Sequence, residues 1–251
     1  MRFLYNNIFF NALEQFDILK LTSFPFSTLS FTNLILFCLI ILTIIGLFFQ
    51  MSQELPILNN SNFFKLFTYN FIFKLMSENI NVSKQTFIPT VYFVFLFILI
   101  SNVSGLIPYS LTVTSYFVVT SFFAWGLFLG INIIGVWINR WQFFCLFLPG
   151  GAPSQITFLL IPIEIISYMA RVVSLAIRLF ANMMAGHALL KILGSFLWAF
   201  MTSITFLSLF SWIPLTIVLA VTILETLIAF LQAYVFITLT SIYLNDVINL
   251  H

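Results

Sequence analysis

Apolar residues run along this chain in long stretches that are almost free of charge. The first stretch covers about residues 29–50 and holds one glycine and no charged side chain. The second and third cover about residues 87–107 and 115–138. Each is close to the roughly 20 apolar residues that a helix needs to cross a bilayer. The pattern predicts a first membrane span at 29–50 and a hairpin of two spans over 87–138.

Two further apolar stretches, 156–201 and 212–247, are much longer than a simple crossing requires. As unbroken helices they would be roughly 50–70 Å long, while the hydrocarbon core is about 30 Å thick. They therefore have to tilt steeply or break, and Pro162 and Gly186 are the candidate bend points. We predict a long tilted hairpin over 156–247.

The segment 51–86, between the first two spans, collects charged residues. They are Glu54, Lys65, Lys74, Glu78 and Lys84. Over 62–77 phenylalanines are mixed with two of the lysines, which is typical of a helix that lies in the membrane interface. We predict an interfacial amphipathic helix here, with a plain connecting loop as the alternative.

Basic residues fall in the connection 51–86 and in a loop predicted at 139–155, where Arg140 stands near prolines and glycines. The connection between the second and third spans has no charged residue. The positive-inside rule therefore places 51–86 and 139–155 on the matrix or cytoplasmic side. The N-terminal arm, residues 1–28, is then expected on the opposite side, and the C-terminus on the matrix or cytoplasmic side.

Composition decides the class of protein. Hydrophobic residues make up 62% of the 251 residues and charged residues only 6%, against about a quarter in soluble domains. We predict a single all-α membrane domain over 1–251, with about five membrane-embedded helices and the interfacial helix. The net charge of +2 is too small to indicate nucleic-acid binding, and Cys38 and Cys145 stand outside any CxxC motif. We expect no metal site, no disulfide framework and no cleavable secretory signal.

Polar residues inside the fourth stretch share one helical face. They are Glu164, Arg171, Ser174, Arg178 and Asn182. Because successive helical residues turn by about 100°, these side chains all point within roughly 40° of one direction. An arginine within an apolar span costs about 2.5–3.5 kcal/mol, which marks Arg178 as a functional residue. Snorkelling of its side chain to the headgroups is the alternative, but apolar residues extend far on both sides.

The last stretch carries a second polar face, formed by Glu225, Gln232 and Asp246, with Tyr243 beside them. Hydrogen bonding between helices is the structural explanation for any one of these residues. It accounts well for Ser174 and Tyr243. It accounts poorly for three carboxylates and two arginines inside apolar helices.

Depth along the fourth stretch separates its ionisable groups. With Arg178 near mid-membrane, His187 lies roughly 13 Å to one side along the axis and Glu164 roughly 21 Å to the other. In a straight helix His187 points away from Arg178, and Gly186 is where the helix could adjust locally.

The same reasoning divides the last stretch. If Gln232 is level with Arg178, Glu225 lies in the half of the membrane that holds the histidine, and Asp246 lies in the other half. Carboxylates and imidazole can relay protons. An arginine, with a pKa above about 12, can only attract a passing carboxylate and block direct passage. The layout predicts two offset half-channels separated by an arginine.

Two motifs resemble the signature of subunit a of the rotary F-type ATP synthase. One is the run 174–187, which contains an arginine, an asparagine and a histidine. The other is the run 231–246, with its glutamine, tyrosine and aspartate. The resemblance extends to the arm residues 11–18, to 107–109 and to the spacing of the spans, so it covers nearly the whole chain.

The resemblance implies that the long hairpin packs against a ring of c subunits. In this family, protons reach a ring carboxylate through one half-channel, ride the rotation and leave through the other. Arg178 occupies the position of the family's essential arginine. For Arg171 a structural role is an equal alternative, and Lys191 is expected to snorkel. The positions that match the inlet half-channel are His187, Glu225, Asn182 and Gln232, and those that match the outlet are Glu164 and Asp246.

The resemblance also implies partners and a location. Other stator and peripheral-stalk subunits, membrane lipid and a second ATP synthase complex are expected as partners, whereas nucleic acid and cofactors are not. The arrangement of His187 and Glu225 resembles that of mitochondrial members. This implies the mitochondrial inner membrane, with the N-terminus toward the intermembrane space and the C-terminus toward the matrix. The sequence has no GxxxxGK[ST] loop, so the chain is not expected to be an enzyme on its own.

Two other functions compete with this interpretation. A self-contained ion transporter or channel would often show inverted repeats or interrupted helices in paired positions, and the sequence shows neither. A purely structural membrane anchor leaves the two polar faces unexplained.

Overall fold

The computed structural model describes residues 16–23, 30–50, 60–79, 87–107, 110–147, 154–202 and 211–248. These residues form six α-helices, namely α1 (Asn33–Gln50), α2 (Asn60–Asn79), α3 (Ile88–Gly105), α4 (Phe117–Asn139), α5 (Ser154–Thr202) and α6 (Trp212–Ile248). Helices α3 to α6 are long and apolar enough to cross a membrane, and α1 is a shorter apolar helix. The predicted all-α membrane fold is confirmed.

A short β-hairpin precedes α1 and departs from the all-helical prediction. Strands β1 (Lys20–Ser23) and β2 (Ser30–Thr32) pair antiparallel. The side-chain oxygen of Asn33, at the start of α1, accepts a hydrogen bond of 3.2 Å from the backbone N–H of Leu19. This bond joins the hairpin to the first helix. Most of the arm motif at 11–18 lies outside the described residues.

The segment predicted to lie in the interface forms α2, so the loop alternative is wrong for these residues. Its buried stripe begins with Lys65 and Thr68, and the Thr68 hydroxyl lies 3.1 Å from the hydroxyl of Tyr92 on α3. Large apolar side chains of α2 are instead exposed, among them Phe63, Leu66 and Phe67. The outer surface of α2 is therefore apolar, which suits contact with lipid or with an apolar protein surface.

The loop predicted at 139–155 is helical in its first half. A 3₁₀ helix, Arg140–Phe147, follows α4 directly. Its apolar sequence gives it a buried anchor, Phe143, and the side-chain amide of Asn139 donates a hydrogen bond of 2.6 Å to the backbone oxygen of Val247 on α6. The prolines and glycines of 149–153 lie outside the described residues.

Helices α5 and α6 are unusually long. They contain 49 and 37 residues, which corresponds to about 74 Å and 56 Å. Pro162 and Gly186 both lie inside α5, so neither candidate bend point ends the helix. Because both helices exceed the roughly 30 Å of a hydrocarbon core, they have to tilt where they are embedded.

Helix α6 lies at the centre of the packing and contacts α2, α3, α4 and α5. Ala229 and Ala233 are fully buried, and their small side chains let neighbouring helices approach closely. Phe236 and Ile237 fill the core on the same part of α6. Helix α5 packs against α4 and α6 along one side only. Its other side is exposed and carries the candidate functional residues described next.

Candidate functional site

Arg178 lies on the exposed side of α5, together with Arg171 and Ser174. A groove of about 680 Å³ runs along this side and reaches Arg178. The residues that line it are Ile165, Ile166, Met169, Ala170, Val173, Ser174, Ile177 and Arg178. Lipid disfavours the guanidinium and water disfavours the apolar walls. The groove therefore suits a protein partner that is apolar but carries a negative charge at the level of Arg178.

Asn182 and Gln232 join the two long helices. The side-chain amide of Asn182 donates a hydrogen bond of 3.0 Å to the Oε1 atom of Gln232, which is 5% exposed. Gln232 therefore contacts Asn182, which lies one helical turn beyond Arg178 in the direction of His187.

His187 and Glu225 lie in a buried cluster where α3, α5 and α6 meet. Both residues are 8% exposed. A methyl group added at Gly186 would lie 2.7 Å from the Oε1 atom of Glu225, and one added at Gly105 would lie 3.3 Å from the Nε2 atom of His187. Within the described residues, neither carboxylate oxygen of Glu225 has a hydrogen-bond partner. The backbone of two glycines thus borders both ionisable side chains, and we call this group, with Thr112, the glycine cluster.

Polar residues that the sequence analysis overlooked lie at the same end of the helices. Thr114 donates a hydrogen bond of 2.9 Å to the side-chain oxygen of Asn102, and the Asn102 amide donates one of 3.4 Å to the backbone oxygen of Ala229. The Thr112 hydroxyl is buried and, among the described residues, has no hydrogen-bond partner. Ala229 follows Glu225 by one helical turn. A buried polar path therefore leads from the turn before α4 to the glycine cluster.

A second group of polar residues, the tyrosine cluster, contains Tyr168, Arg171, Tyr243 and Asp246. The guanidinium carbon of Arg171 lies 6.0 Å from the ring centre of Tyr243. Arg171 and Asp246 both lie within electrostatic range of the two tyrosine hydroxyls. The Tyr168 hydroxyl donates a hydrogen bond of 2.7 Å to the side-chain oxygen of Asn132 on α4. The cluster thus ties α4, α5 and α6 together.

Glu164 is half-buried and lies seven residues before Arg171, which is about 10 Å along the axis of α5. It therefore stands one turn before Tyr168 of the tyrosine cluster, on the side away from Arg178. Asp246 belongs to that cluster, within electrostatic range of both tyrosines.

The two clusters lie on opposite sides of Arg178. His187 follows Arg178 by nine residues and Arg171 precedes it by seven, about 13 Å and 10 Å along α5. Because His187 is buried and Arg178 is exposed, the two side chains occupy different faces of the helix. Within the described part of the chain, no group of three histidine, cysteine, aspartate or glutamate side chains could hold a metal ion. The chemistry available is proton binding in two places, with a fixed positive charge between them.

Comparison with known proteins points to one family. A family model described as ATP synthase A chain matches residues 31–245. The protein "ATP synthase subunit a" of Chondrus crispus is 42% identical over 247 residues, which cover 96% of this chain and 97% of that protein. The proteins of the same name from Marchantia polymorpha and Pelagibacter ubique are 43% and 39% identical. Each alignment covers 96% of this chain, with 99% of the first protein and 98% of the second.

Proposed function

Because this chain belongs to the ATP synthase A chain family, the proton-translocating stator subunits of F-type ATP synthases, we propose that it provides two half-channels that meet at Arg178. The observation that carries the proposal is the position of Arg178, exposed in an apolar groove, with a cluster of proton-binding side chains on each side. A proton then has no path through the chain itself. It crosses only by transfer to a partner that moves past the groove.

The inlet half-channel contains His187, Glu225, Asn182 and Gln232. Glu225 and His187 are the groups there that can accept and release a proton. Asn102 and the turn before α4 lie beside this group and lead toward the connection between α3 and α4, which carries no charged residue.

The barrier is Arg178. Its guanidinium keeps its proton under all relevant conditions, so it cannot pass one on. It attracts a carboxylate on the partner and favours its ionised form. This lets the partner carboxylate release its proton toward the outlet before it accepts another from the inlet.

The outlet half-channel contains Asp246 and Glu164, with Tyr243 and Arg171 beside them. This group lies toward the 3₁₀ helix at Arg140, where basic residues border the membrane segment. By the positive-inside rule that end faces the matrix, and the inlet faces the intermembrane space.

The partner is a ring of c subunits, each offering one carboxylate. The exposed groove on α5 fits an apolar helix of such a ring. The chain further contacts other stator and peripheral-stalk subunits and lipid in the mitochondrial inner membrane, and its complex associates with a second one. Each proton that crosses 100 mV releases about 2.3 kcal/mol, so several crossings per ATP are needed and a rotating ring can sum them.

The direct experiment replaces Arg178 with alanine in the assembled complex. We expect assembly to persist and coupled proton flow to be lost, because the barrier between the half-channels is gone. ATP synthesis and proton conduction in membrane vesicles are the measurements. Lys191→Ala is the matched control, since it removes a positive charge from the same helix outside both clusters. Normal ATP synthesis in the Arg178→Ala complex would refute the proposal.

A further inference from the structure

The carboxylate of Glu225 occupies space that exists only because residue 186 has no side chain. A methyl group at Gly186 would lie 2.7 Å from Oε1, 3.1 Å from Cδ and 3.3 Å from Cγ of Glu225. Contacts below 3.0 Å are closer than carbon and oxygen atoms pack, so one of the two groups would have to move. We propose that Gly186 is a positioning residue that sets where the Glu225 carboxylate stands in the inlet half-channel, an inference that rests on the proposed function.

Packing, rather than hydrogen bonding, holds this carboxylate. Glu225 is buried, and within the described residues both of its carboxylate oxygens are without a hydrogen-bond partner. The position of the side chain therefore depends on the space that the described neighbours leave open. The backbone of α5 at Gly186, directly before His187, borders its tip.

A second glycine borders the opposite side of the cluster. A methyl group at Gly105 of α3 would collide with the side chain of Thr112 and lie 3.3 Å from Nε2 of His187. His187 is thus bordered by the backbone of α3, while Glu225 is bordered by the backbone of α5. A methyl group at Gly186 meets Glu225 directly, so it should change the position of Glu225 relative to His187.

Because of this geometry, a substitution at Gly186 should affect proton transfer more than it affects folding. The atoms that would meet the new methyl group belong to the flexible end of a glutamate, so the chain can accommodate the change by rotating that side chain. Alanine also favours a helix more than glycine does. The proton-binding group is the part that moves, so proton transfer should suffer while assembly does not.

The test compares Gly186→Ala with Gly194→Ala in the assembled complex. Gly194 lies on the same helix, and among the described residues nothing outside the local helix backbone lies within 4 Å of a methyl group added there, so it controls for the general effect of alanine in α5. We expect Gly186→Ala to slow proton conduction by about tenfold to 100-fold, since a misplacement of about 1 Å at a reacting group can cost about 100-fold. Gly194→Ala should conduct at the rate of the unchanged protein.

A compensating substitution distinguishes positioning from general packing. Glu225→Asp shortens the side chain by one methylene and makes room for the methyl group. The double variant Gly186→Ala/Glu225→Asp should conduct protons faster than Gly186→Ala alone. A purely structural role for Gly186 gives no reason for this rescue.

The experiment distinguishes failure of the positioning role from failure of the proposed function. Equal proton conduction in Gly186→Ala and Gly194→Ala overturns the positioning role. So does a double variant Gly186→Ala/Glu225→Asp whose loss of conduction equals the product of the losses in the two single variants. Loss of assembly in Gly186→Ala that Glu225→Asp does not restore overturns it as well. Glu225→Gln tests the underlying function separately, because normal conduction in that variant removes Glu225 from the proton path whatever Gly186 does.

Discussion

The glycine cluster and the tyrosine cluster lie on the two sides of Arg178 and are built in different ways. In the glycine cluster, His187 and Glu225 are 8% exposed, and the backbone of Gly105 and Gly186 borders them. In the tyrosine cluster, Asp246 is half-buried and Arg171 is exposed.

The contacts differ as well. Glu225 has no hydrogen-bond partner among the described residues, whereas the tyrosine cluster is held by a hydrogen bond from Tyr168 and by the contact between Arg171 and Tyr243. A buried group that packing alone holds in place depends on the shape of the space around it. A half-exposed group among polar neighbours can be replaced in part by water. The two proposed half-channels should therefore tolerate substitution to different degrees.

The largest expected difference in proton-conduction rate follows from removing one carboxylate from each cluster. Glu225→Gln should slow proton conduction by about 100-fold, because a buried proton-transfer group typically contributes at least that factor. Asp246→Asn should slow it by only about threefold to tenfold, because water can take over part of its role.

The rates are measured in vesicles that hold the assembled complex, with equal amounts of protein confirmed for each variant. Similar losses in the two variants would remove the distinction between the clusters. A greater loss in Asp246→Asn would reverse it.

A smaller effect is expected at the link between the long helices. Asn182→Ala and Gln232→Ala each break the same hydrogen bond, so the double variant should lose less than the product of the two single losses. Interhelical hydrogen bonds in membranes couple by about 0.6 kcal/mol, which is a nearly threefold departure from independence in proton-conduction rate. The control pair combines Ser174→Ala with Gln232→Ala. The effects of these two substitutions on proton conduction should be independent.

The smallest effect is expected at Tyr243. Phenylalanine keeps the aromatic face against Arg171, and leucine does not. Tyr243→Leu should lower the stability of the complex by about 0.5–1 kcal/mol relative to Tyr243→Phe, the usual strength of such a contact when the cation is exposed, as Arg171 is. Equal destabilisation by both substitutions would show that the hydroxyl group matters instead of the ring.

Helical periodicity was enough to identify the two polar faces, because a face depends only on local geometry. The exposed row through Arg171, Ser174 and Arg178 follows from residue spacing on one helix. It also places His187 on another face of α5. What periodicity could not supply was the pairing between α5 and α6, in which the side chain of Asn182 meets that of Gln232.

The overlooked residues share one property. Asn102, Thr112 and Thr114 lie near the uncharged connection after α3, where hydropathy indicates only that a span has ended. Their role depends on contacts that residue spacing does not reveal. Asn102 reaches the backbone of Ala229 on α6, 127 positions away, and Thr114 bonds Asn102. A polar side chain just inside the end of a span, followed by two threonines in the next connection, was the available signal. The inverted burial of α2, with Lys65 inside, likewise depends on neighbouring helices.

The unbroken course of α5 has a mechanical consequence. A stator subunit has to resist the torque of the part that turns against it, and a bend in the contacting helix would let that force relax as motion. From Ser154 to Thr202 α5 continues as one helix, past both Pro162 and Gly186. The arginine and the groove beside it thus belong to one continuous helix that packs against α4 and α6.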